Sequence, residues 1–479
     1  MGLFSKVMVA NRGEIAVRII RACKELNIPT VTVFTEQDAN AIHITKADQA
    51  ILVSPGPVAG YLDYRQIIDM AKWAKADAIH PGYGFGAENW EFAQAAADAG
   101  LTFIGPPPEA MRRMGDKVLA RQLAGEAGLP IVPGSPVLDL EDEGQVREWA
   151  ARVGFPLLIK AKGGGGGRGM RRVNDEAELL AGLPGASREA ARNFGDPAVY
   201  LEKLILEPKH IEIQILGDKH GHLIHLGERD CSIQRRHQKI IEIAPSLVLT
   251  PEKRVEMGEL AKKAARLLNY HSVGTMEFLV DQDLNFYFLE MNTRIQVEHP
   301  ITELITGIDL VAEQIKAAAG ERLTLTQEDV QLNGYAIECR INAEDPRNNF
   351  FPSPGRITRY QSPGGIGIRL DGCVFGGYEV PPYFDPLLAK LCAWGNTWEE
   401  VLSRMDRALE EYIIRGIKTT IPFYRKLLKD EDFRSGRFTT SFLAEKMPSL
   451  TYTDTREPWD LFYVAGATLF CELNQIAKK

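Results

Sequence analysis

The sequence predicts an α/β protein whose C-terminal part is α+β. Three observations predict it: a βαβ opening, a glycine run held between two short strand candidates, and a long later stretch whose strand-like segments alternate apolar and polar residues. A chain of 479 residues exceeds what one hydrophobic core usually organises, about 250–300 residues, so several domains sharing a cleft are expected.

The opening reads as strand Lys6–Ala10, a turn at Asn11-Arg12-Gly13, helix Glu14–Leu26 with Ile15, Ile19, Ala22 and Leu26 on one face, and strand Thr30–Phe34 after Pro29. Strand Ala76–His80 runs into Pro81-Gly82-Tyr83-Gly84-Phe85, and Thr102–Ile104 returns to strand before Gly105-Pro106-Pro107-Pro108. A boundary near residue 113, past that proline run, closes an N-terminal segment, 1–113. The next segment, 114–330, contains a small lid over 131–203, where strands Leu157–Lys160 and Met170–Val173 flank the glycine run and a helix leads to strand Val199–Lys203. Strands His210–Leu216, His222–Leu226, Thr275–Val280, Asn285–Met291 and Tyr335–Ile341 follow. A segment 331–447 and a tail 448–479 complete the chain.

Hydrophobic residues at 45% and charged residues at 25% are ordinary for a folded soluble protein. A net charge of −8 and a pI near 5.7 argue against a partner bound through a nucleic acid backbone. The six cysteines lack C-x-x-C pairs and zinc-ligand spacing, and read as reduced thiols of a cytoplasmic protein. The first residues lack an apolar signal segment and no run approaches membrane-spanning length, so neither export nor a membrane role is expected.

The run Gly163-Gly164-Gly165-Gly166-Gly167-Arg168-Gly169 is conformationally expensive to order. Such a loop is useful where main-chain N–H groups must close over phosphate oxygens and reopen. Lys160, Arg168, Arg171 and Arg172 around it supply matching charge; the competing reading is a hairpin tip without a ligand. No G-K-[ST] follows it, so it is not a P-loop, and it opens a strand rather than a helix, which weakens a dinucleotide reading.

If Asp281–Asn285 turns the chain, Glu277 and Glu290 fall opposite or nearly opposite each other on paired strands. Facing carboxylates repel unless a hard cation lies between them, and Mg²⁺ accompanied by nucleotide phosphates suits such ligands. Asn292, two residues on, could add a neutral oxygen; Met276, Phe278, Leu289 and Met291 suggest a largely buried hairpin rather than two solvated acids. The next stretch, Asn292 to Pro300, is dense in hydrogen-bonding groups. The Arg294 fork and Gln296 amide suit a small planar oxyanion such as bicarbonate, with Glu298 able to take its proton, although an ordinary polar loop would look similar. Glu228 to Lys239 is a basic run in an acidic protein, either a solvated surface or charge for a triphosphate within reach of His237 or Lys239. In Tyr335–Asn342, Glu338 and Arg340 project together, as a weak surface pair or as a site where Arg340 stabilises developing negative charge.

Taken together, Ala10 to Ala16, His80 to Phe85, the glycine loop, Glu228 to Lys239, Glu290 to Thr302 and Phe351-Pro352-Ser353-Pro354-Gly355 resemble the biotin carboxylases, in order and over roughly residues 4–445. The resemblance implies an ATP-grasp fold with a Rossmann-like domain before it and a biotin carboxylase C-terminal domain after it, in a homodimer. It implies that Lys117, Lys160, Glu202, Lys203, Leu204, His210, Gln234 and His237, with Gly165, Gly166 and Gly167 of the loop, surround ATP. Glu277 and Glu290, with Asn292 nearby, would hold Mg²⁺ or Mn²⁺. Lys239, Arg294, Gln296 and Val297 would surround bicarbonate, Glu298 would be the base, and Arg340 would stabilise the enolate of biotin.

The implied reaction is attack of bicarbonate on the γ-phosphate of ATP, release of CO₂ and phosphate from carboxyphosphate, and removal of the ureido proton of biotin by that phosphate. Loss of Lys239 or Arg340 is expected to depress turnover far more than it unfolds the chain. Three departures from the family pattern stand out: Gly86-Ala87, Lys162 and Phe384-Asp385-Pro386. The biotin-attachment tetrapeptide Ala-Met-Lys-Met is absent, so biotin is expected as a substrate on a separate biotin carboxyl carrier protein, with a separate carboxyltransferase subunit choosing the final acceptor: acetyl-CoA, propionyl-CoA, pyruvate or 2-oxoglutarate. Trp459, Leu461, Phe462, Tyr463, Leu469 and Phe470 are expected to pack the tail against the body, the alternative being a docking segment for a partner subunit. Rival readings are another ATP-grasp ligase making an acyl or carbamoyl phosphate for an amine acceptor, an inactive nucleotide-binding scaffold, and an NAD-dependent dehydrogenase, which would need fingerprint glycines after the first strand.

Overall fold

Strand Val7–Val9 forms the centre of a five-stranded parallel sheet in the order Gln49–Leu52, Thr30–Phe34, Val7–Val9, Ala78–His80, Thr102–Phe103. The computed structural model describes residues 3–163, 169–449, 462–463 and 465–471. The strand order reverses at Val7–Val9, which brings the turn after it beside the turn after Ala78–His80. There the Asn11 amide donates to the Pro81 carbonyl at 2.7 Å and to the Tyr83 carbonyl at 2.8 Å, joining two of the sequence motifs. Gly82 sits at φ 65°, and a Cβ on it would stand 3.0 Å from the Asn11 amide, so this turn excludes larger residues.

The lid is a four-stranded antiparallel sheet, ordered Gly134–Val137, Val199–Lys203, Leu157–Ala161, Met170–Val173. Ile159, Val173 and Leu201 pack with Leu179 and Leu183 of helix Glu176–Phe194 into its own core. Gly165, Gly166 and Gly167 lie outside the described residues.

An eight-stranded antiparallel sheet carries the remaining chemistry. Its order is Phe286–Asn292, Ser272–Val280, Lys209–Gly217, Leu223–Arg235, Gln238–Ala244, Tyr335–Asn342, Leu387–Gly395, Ile368–Gly372, so it runs without a break from chain segments before residue 330 to segments after it. One face is apolar: Ile211, Ile213, Met276 and Phe278 pack in one cluster with residues of helices Lys117–Ala127 and Pro251–Leu267. The alternating residues His210, Glu212, Gln214, Thr275 and Glu277 occupy the other face, yet all are buried. Leu216, Ile224 and Val273 continue into a cluster shared with helices Gly13–Glu25 and Leu310–Ala318.

The strand expected to end at Leu226 continues to Arg235, because Glu228, Arg229 and Asp230 are buried and partnered rather than solvated. Strands Gln238–Ala244 and Leu387–Gly395 were not anticipated. Helix His299–Thr306 begins with Pro300 in its first turn, so the proline ends the polar stretch by starting a helix. By contacts the chain divides into Met1–Leu443 and Ala444–Lys479. Within the second unit Phe462, Tyr463, Leu469 and Phe470 are exposed, and Trp459 and Leu461 lie outside the described residues. Among the described residues no helix is long and apolar enough to cross a membrane.

Helix Pro251–Leu267 approaches strand Leu223–Arg235 so closely that a Cβ on Gly258 would stand 2.5 Å from the His225 imidazole, which burial holds at a pKa of about 4. Gly258→Ala is therefore expected to cost about 1–3 kcal/mol of stability. His225→Ala in the same chain should recover part of the loss, as equilibrium denaturation would show.

Candidate active site

Strand register aligns Glu290 with Glu277, Glu277 with Glu212, and Glu212 with Arg229 across four neighbouring strands. Directly opposed residues share a face with Cβ atoms about 4.5–5.5 Å apart, so three carboxylates stand in a row. In a buried setting such a row is tolerable only with counter-charge. Lys239 supplies it: its ammonium lies 2.5 Å from Glu212, 2.7 Å from Glu277 and 2.9 Å from Glu298. Fully buried Arg229 closes the row, its guanidinium 2.5 Å from Glu212, 2.7 Å from Gln214 and 2.8 Å from Thr302.

Burial alone would lower the Lys239 pKa, but Glu212, Glu277 and Glu298 raise it well above the ordinary lysine value. Burial likewise works to raise Glu277 and Glu298. Lys239, with His210 beside Glu277 and Arg340 beside Glu298, overrides it and holds both well below the usual carboxylate range. Both acids are therefore ionised at neutral pH.

Asn292, Arg294 and Gln296, at spacing two from the end of strand Phe286–Asn292, form a closed ring with Glu277. Arg294 donates to the Gln296 and Asn292 side-chain oxygens, each at 2.9 Å, and the amides of Asn292 and Gln296 donate to Glu277 at 2.8 and 3.1 Å. Glu88, from the loop after Phe85, lies 3.2 Å from the Arg294 Nε and brings the N-terminal segment to this ring. Glu298 follows. Its second oxygen accepts from Arg340 at 2.9 Å, and Arg340 also grips Glu242 at 2.6 Å. The Val297 carbonyl accepts from Lys390 at 2.9 Å, and that fully buried ammonium is 3.1 Å from Glu14.

The residues read as nucleotide contacts divide. His210 Nε2 lies 2.8 Å from Glu277 and its Nδ1 is 3.0 Å from the Gln234 amide, so both belong to the buried cluster. Lys160 is paired with Glu202, which Arg121 also holds at 2.9 Å. Burial and the Lys160 charge lower the Lys117 pKa against the pull of Glu290 and Glu202, which places Lys117 within the fields of all three. Lys203 is spent on the lid backbone, donating to the Gly154 and Phe155 carbonyls at 2.8 Å, and the Leu204 N–H donates to Pro156 at 3.1 Å. His237 stands exposed at a hairpin tip with φ 65°, outside the buried cluster.

The Glu277 and Glu290 pairing expected from sequence is present. Glu290 is not buried with its neighbours: its side chain reaches solvent, while partial burial and the Glu277 charge push its pKa up. An open carboxylate made uncomfortable by a facing one fits a hard divalent cation. Asn292 has both ends engaged, with Glu277 and with Arg294, and would join such an ion only on releasing Arg294.

Sequence reasoning passed over Glu212, Arg229, Glu242 and Lys390. The alternation His210-Ile211-Glu212-Ile213 marks Glu212 as sharing the His210 face, and a lone Lys390 inside an apolar strand signals a buried charge with a partner. Glu242 carries the same mark within Ile240-Ile241-Glu242-Ile243, whereas Arg229 lies in a run of polar residues, Glu228 to Ser232, that hides its burial.

Residues 3–111 match the family described as biotin carboxylase, N-terminal domain; 116–326 match carbamoyl-phosphate synthase L chain, ATP binding domain; 338–445 match biotin carboxylase C-terminal domain. The chain is 52% identical to the 2-oxoglutarate carboxylase small subunit of Hydrogenobacter thermophilus, over 98% of this chain and 99% of that one. It is 51% identical to biotin carboxylase 1 of Bacillus subtilis, over 92% and 98%. The biotin carboxylase domain dimer of the Hydrogenobacter thermophilus 2-oxoglutarate carboxylase, solved with MgADP, ADP and bicarbonate, superposes with a TM-score of 0.89 at 53% identity, covering 94% of this chain and 99% of that one.

Removing Lys239 leaves Glu212, Glu277 and Glu298 without their shared cation. Lys239→Met is expected to lose about 3–5 kcal/mol of stability at neutral pH, so this lysine holds the fold together. The folded pKa values of Glu277 and Glu298 are depressed, so their contribution is present above the ordinary carboxylate pKa and lost as pH falls through the folded value. The gap between variant and parent should accordingly narrow below about pH 5, as denaturant titrations at several pH values would reveal.

Proposed function

The chain belongs to the biotin carboxylase family, and from that premise we propose that it carboxylates biotin on a separate carrier protein, using ATP and bicarbonate and yielding ADP and phosphate. The observation that carries this reading is the position of Glu298: an ionised, buried carboxylate held between Lys239 and Arg340 beside the Asn292–Arg294–Gln296 ring. Bicarbonate is a planar oxyanion, and the Arg294 fork, the Gln296 amide and the Lys239 ammonium are donors of the right kind for it.

Glu298 then takes the proton of bicarbonate, making it a better nucleophile toward the γ-phosphorus of ATP. Lys117, Lys160, His210 and Gln234 line the nucleotide side of the cluster. Lys203, Leu204 and His237 are further nucleotide contacts in this reading. A divalent cation held by Glu277 and Glu290 would supply neutralisation of the phosphate charge. Carboxyphosphate forms as the γ-phosphoryl group leaves ADP, then breaks into CO₂ and phosphate. The phosphate removes the ureido proton, Arg340 stabilises the enolate oxygen left behind, and the carbon of CO₂ bonds to the ureido nitrogen.

This function maps onto segments 1–113, 114–330 with its lid at 131–203, and 331–447. Partner expectations rest on relatives. The small subunit of the Hydrogenobacter 2-oxoglutarate carboxylase is one, and a component of the pyruvate carboxylase of Methanothermobacter thermautotrophicus, 50% identical over 92% of this chain, is another. Both support a role as one polypeptide of several, with a carrier and a carboxyltransferase as partners. The dimeric Hydrogenobacter domain supports a homodimer. None of the six cysteines is paired among the described residues, which suits the reducing cytoplasm.

The test is ATP cleavage by the purified chain with free biotin, with and without bicarbonate. Cleavage should require bicarbonate, and Arg340→Ala and Glu298→Gln should each lower it by about a hundredfold or more. ATP cleavage indifferent to bicarbonate, or ammonia serving in place of biotin, would replace this reading with that of a different ATP-grasp ligase.

A further inference from the structure

Strands Gln238–Ala244 and Tyr335–Asn342 set Glu242 directly opposite Glu338, and both side chains are wholly buried. Unlike the pair at Glu277 and Glu290, this one has no open edge to solvent. Arg340 grips one oxygen of Glu242 at 2.6 Å, and the Cys392 thiol lies 3.4 Å from one oxygen of Glu338. The other two oxygens, Glu242 Oε2 and Glu338 Oε1, have no hydrogen-bond partner. Buried acceptors without donors are rare because each forfeits its hydration. When two such acceptors belong to register-paired acids, one proton between them satisfies both.

We propose that Glu242 and Glu338 share a single proton and act together as a positioning pair for Arg340, with Glu338 neutral and Glu242 carrying the one negative charge. That charge and Glu298 then hold the guanidinium from two sides. The role rests on the reading that Arg340 serves the biotin step; the shared proton does not.

The surroundings agree. Cations facing the pair are Arg340, Lys239 and Lys390, and the facing anion is Glu298. The nearby thiols of Cys231, Cys339 and Cys392 and the phenol of Tyr424 are pushed up by burial and stay neutral. Burial pushes Glu242 to about 7 against the pull of Arg340, whereas burial and Glu242 together lift Glu338 well above the usual carboxylate range. The two titrate as a unit. As pH falls below about 7 the pair becomes neutral and Arg340 loses one charged partner. As pH rises, the stability that comes from keeping Glu338 protonated is lost.

The experiment uses the full chain and its Glu338→Gln and Glu242→Gln variants, with three readouts: the infrared carbonyl band of a protonated carboxylic acid at neutral pH, thermal stability against pH, and the pH profile of bicarbonate- and biotin-dependent ATP cleavage. Glu338→Gln mimics the neutral acid, so it should diminish the band, flatten the loss of stability with rising pH and lower kcat by less than about threefold. Its amide donates permanently to Glu242, so the acid limb of the profile should move down by about one pH unit. Glu242→Gln should lower kcat by about tenfold or more with KM for ATP little changed. A band undiminished in both variants, or a Glu338→Gln loss as large as that of Glu242→Gln, would overturn the proposal. If the parent chain cleaves ATP without bicarbonate, the assigned function fails while the band and the stability profiles still decide whether the proton is shared.

Discussion

Everything in the cleft depends on how one buried ammonium neutralises a row of acids. Lys239 sits among Glu212, Glu277 and Glu298 at 2.5–2.9 Å, and Arg229 braces Glu212 from the far side. A buried carboxylate without such a partner would take up a proton or pull its segment into water. The register of the eight-stranded sheet and the charge of Lys239 are therefore one constraint. The strands place the acids side by side, and the lysine makes that placement stable.

The same constraint explains the reach of the charged network. Arg340 links Glu298 to Glu242, and Lys390 links the Val297 carbonyl to Glu14 on the first helix. Arg294 reaches Glu88 in the N-terminal segment. Residues distant in sequence thus converge on one short stretch, Asn292 to Glu298, whose carbonyls and side chains are held from three directions. A site meant to seat a small anion against a triphosphate benefits from such rigidity, because donors already aimed need little reorganisation during reaction.

The same stretch is closed by its own hydrogen bonds. Arg294, Gln296 and Asn292 satisfy one another and Glu277, and Lys203 and Leu204 are occupied by lid carbonyls. Each of these donors is thereby satisfied within the fold, and the charges of the cluster answer one another.

Much of the site was legible in the chain itself. The facing of Glu277 and Glu290 followed from a short turn between two alternating strands, and the common face of Glu338 and Arg340 from a period of two, since both are local consequences of backbone geometry. The nature of the candidate ligands followed from residue chemistry: glycine N–H groups for phosphate, paired acids for a cation, an arginine fork for a planar anion. Burial was not legible. Glu228 to Lys239 reads equally as a solvated basic run or as charge for a triphosphate, yet Arg229 is wholly enclosed, and the partners of Glu212, Glu242 and Lys390 appear only when strands from 209 to 395 lie side by side. Local spacing determines which side chains share a face; which face is dry, and which charges must answer one another across it, is decided by the pairing of distant strands, because desolvation and Coulomb energies depend on distances in space that no local pattern contains.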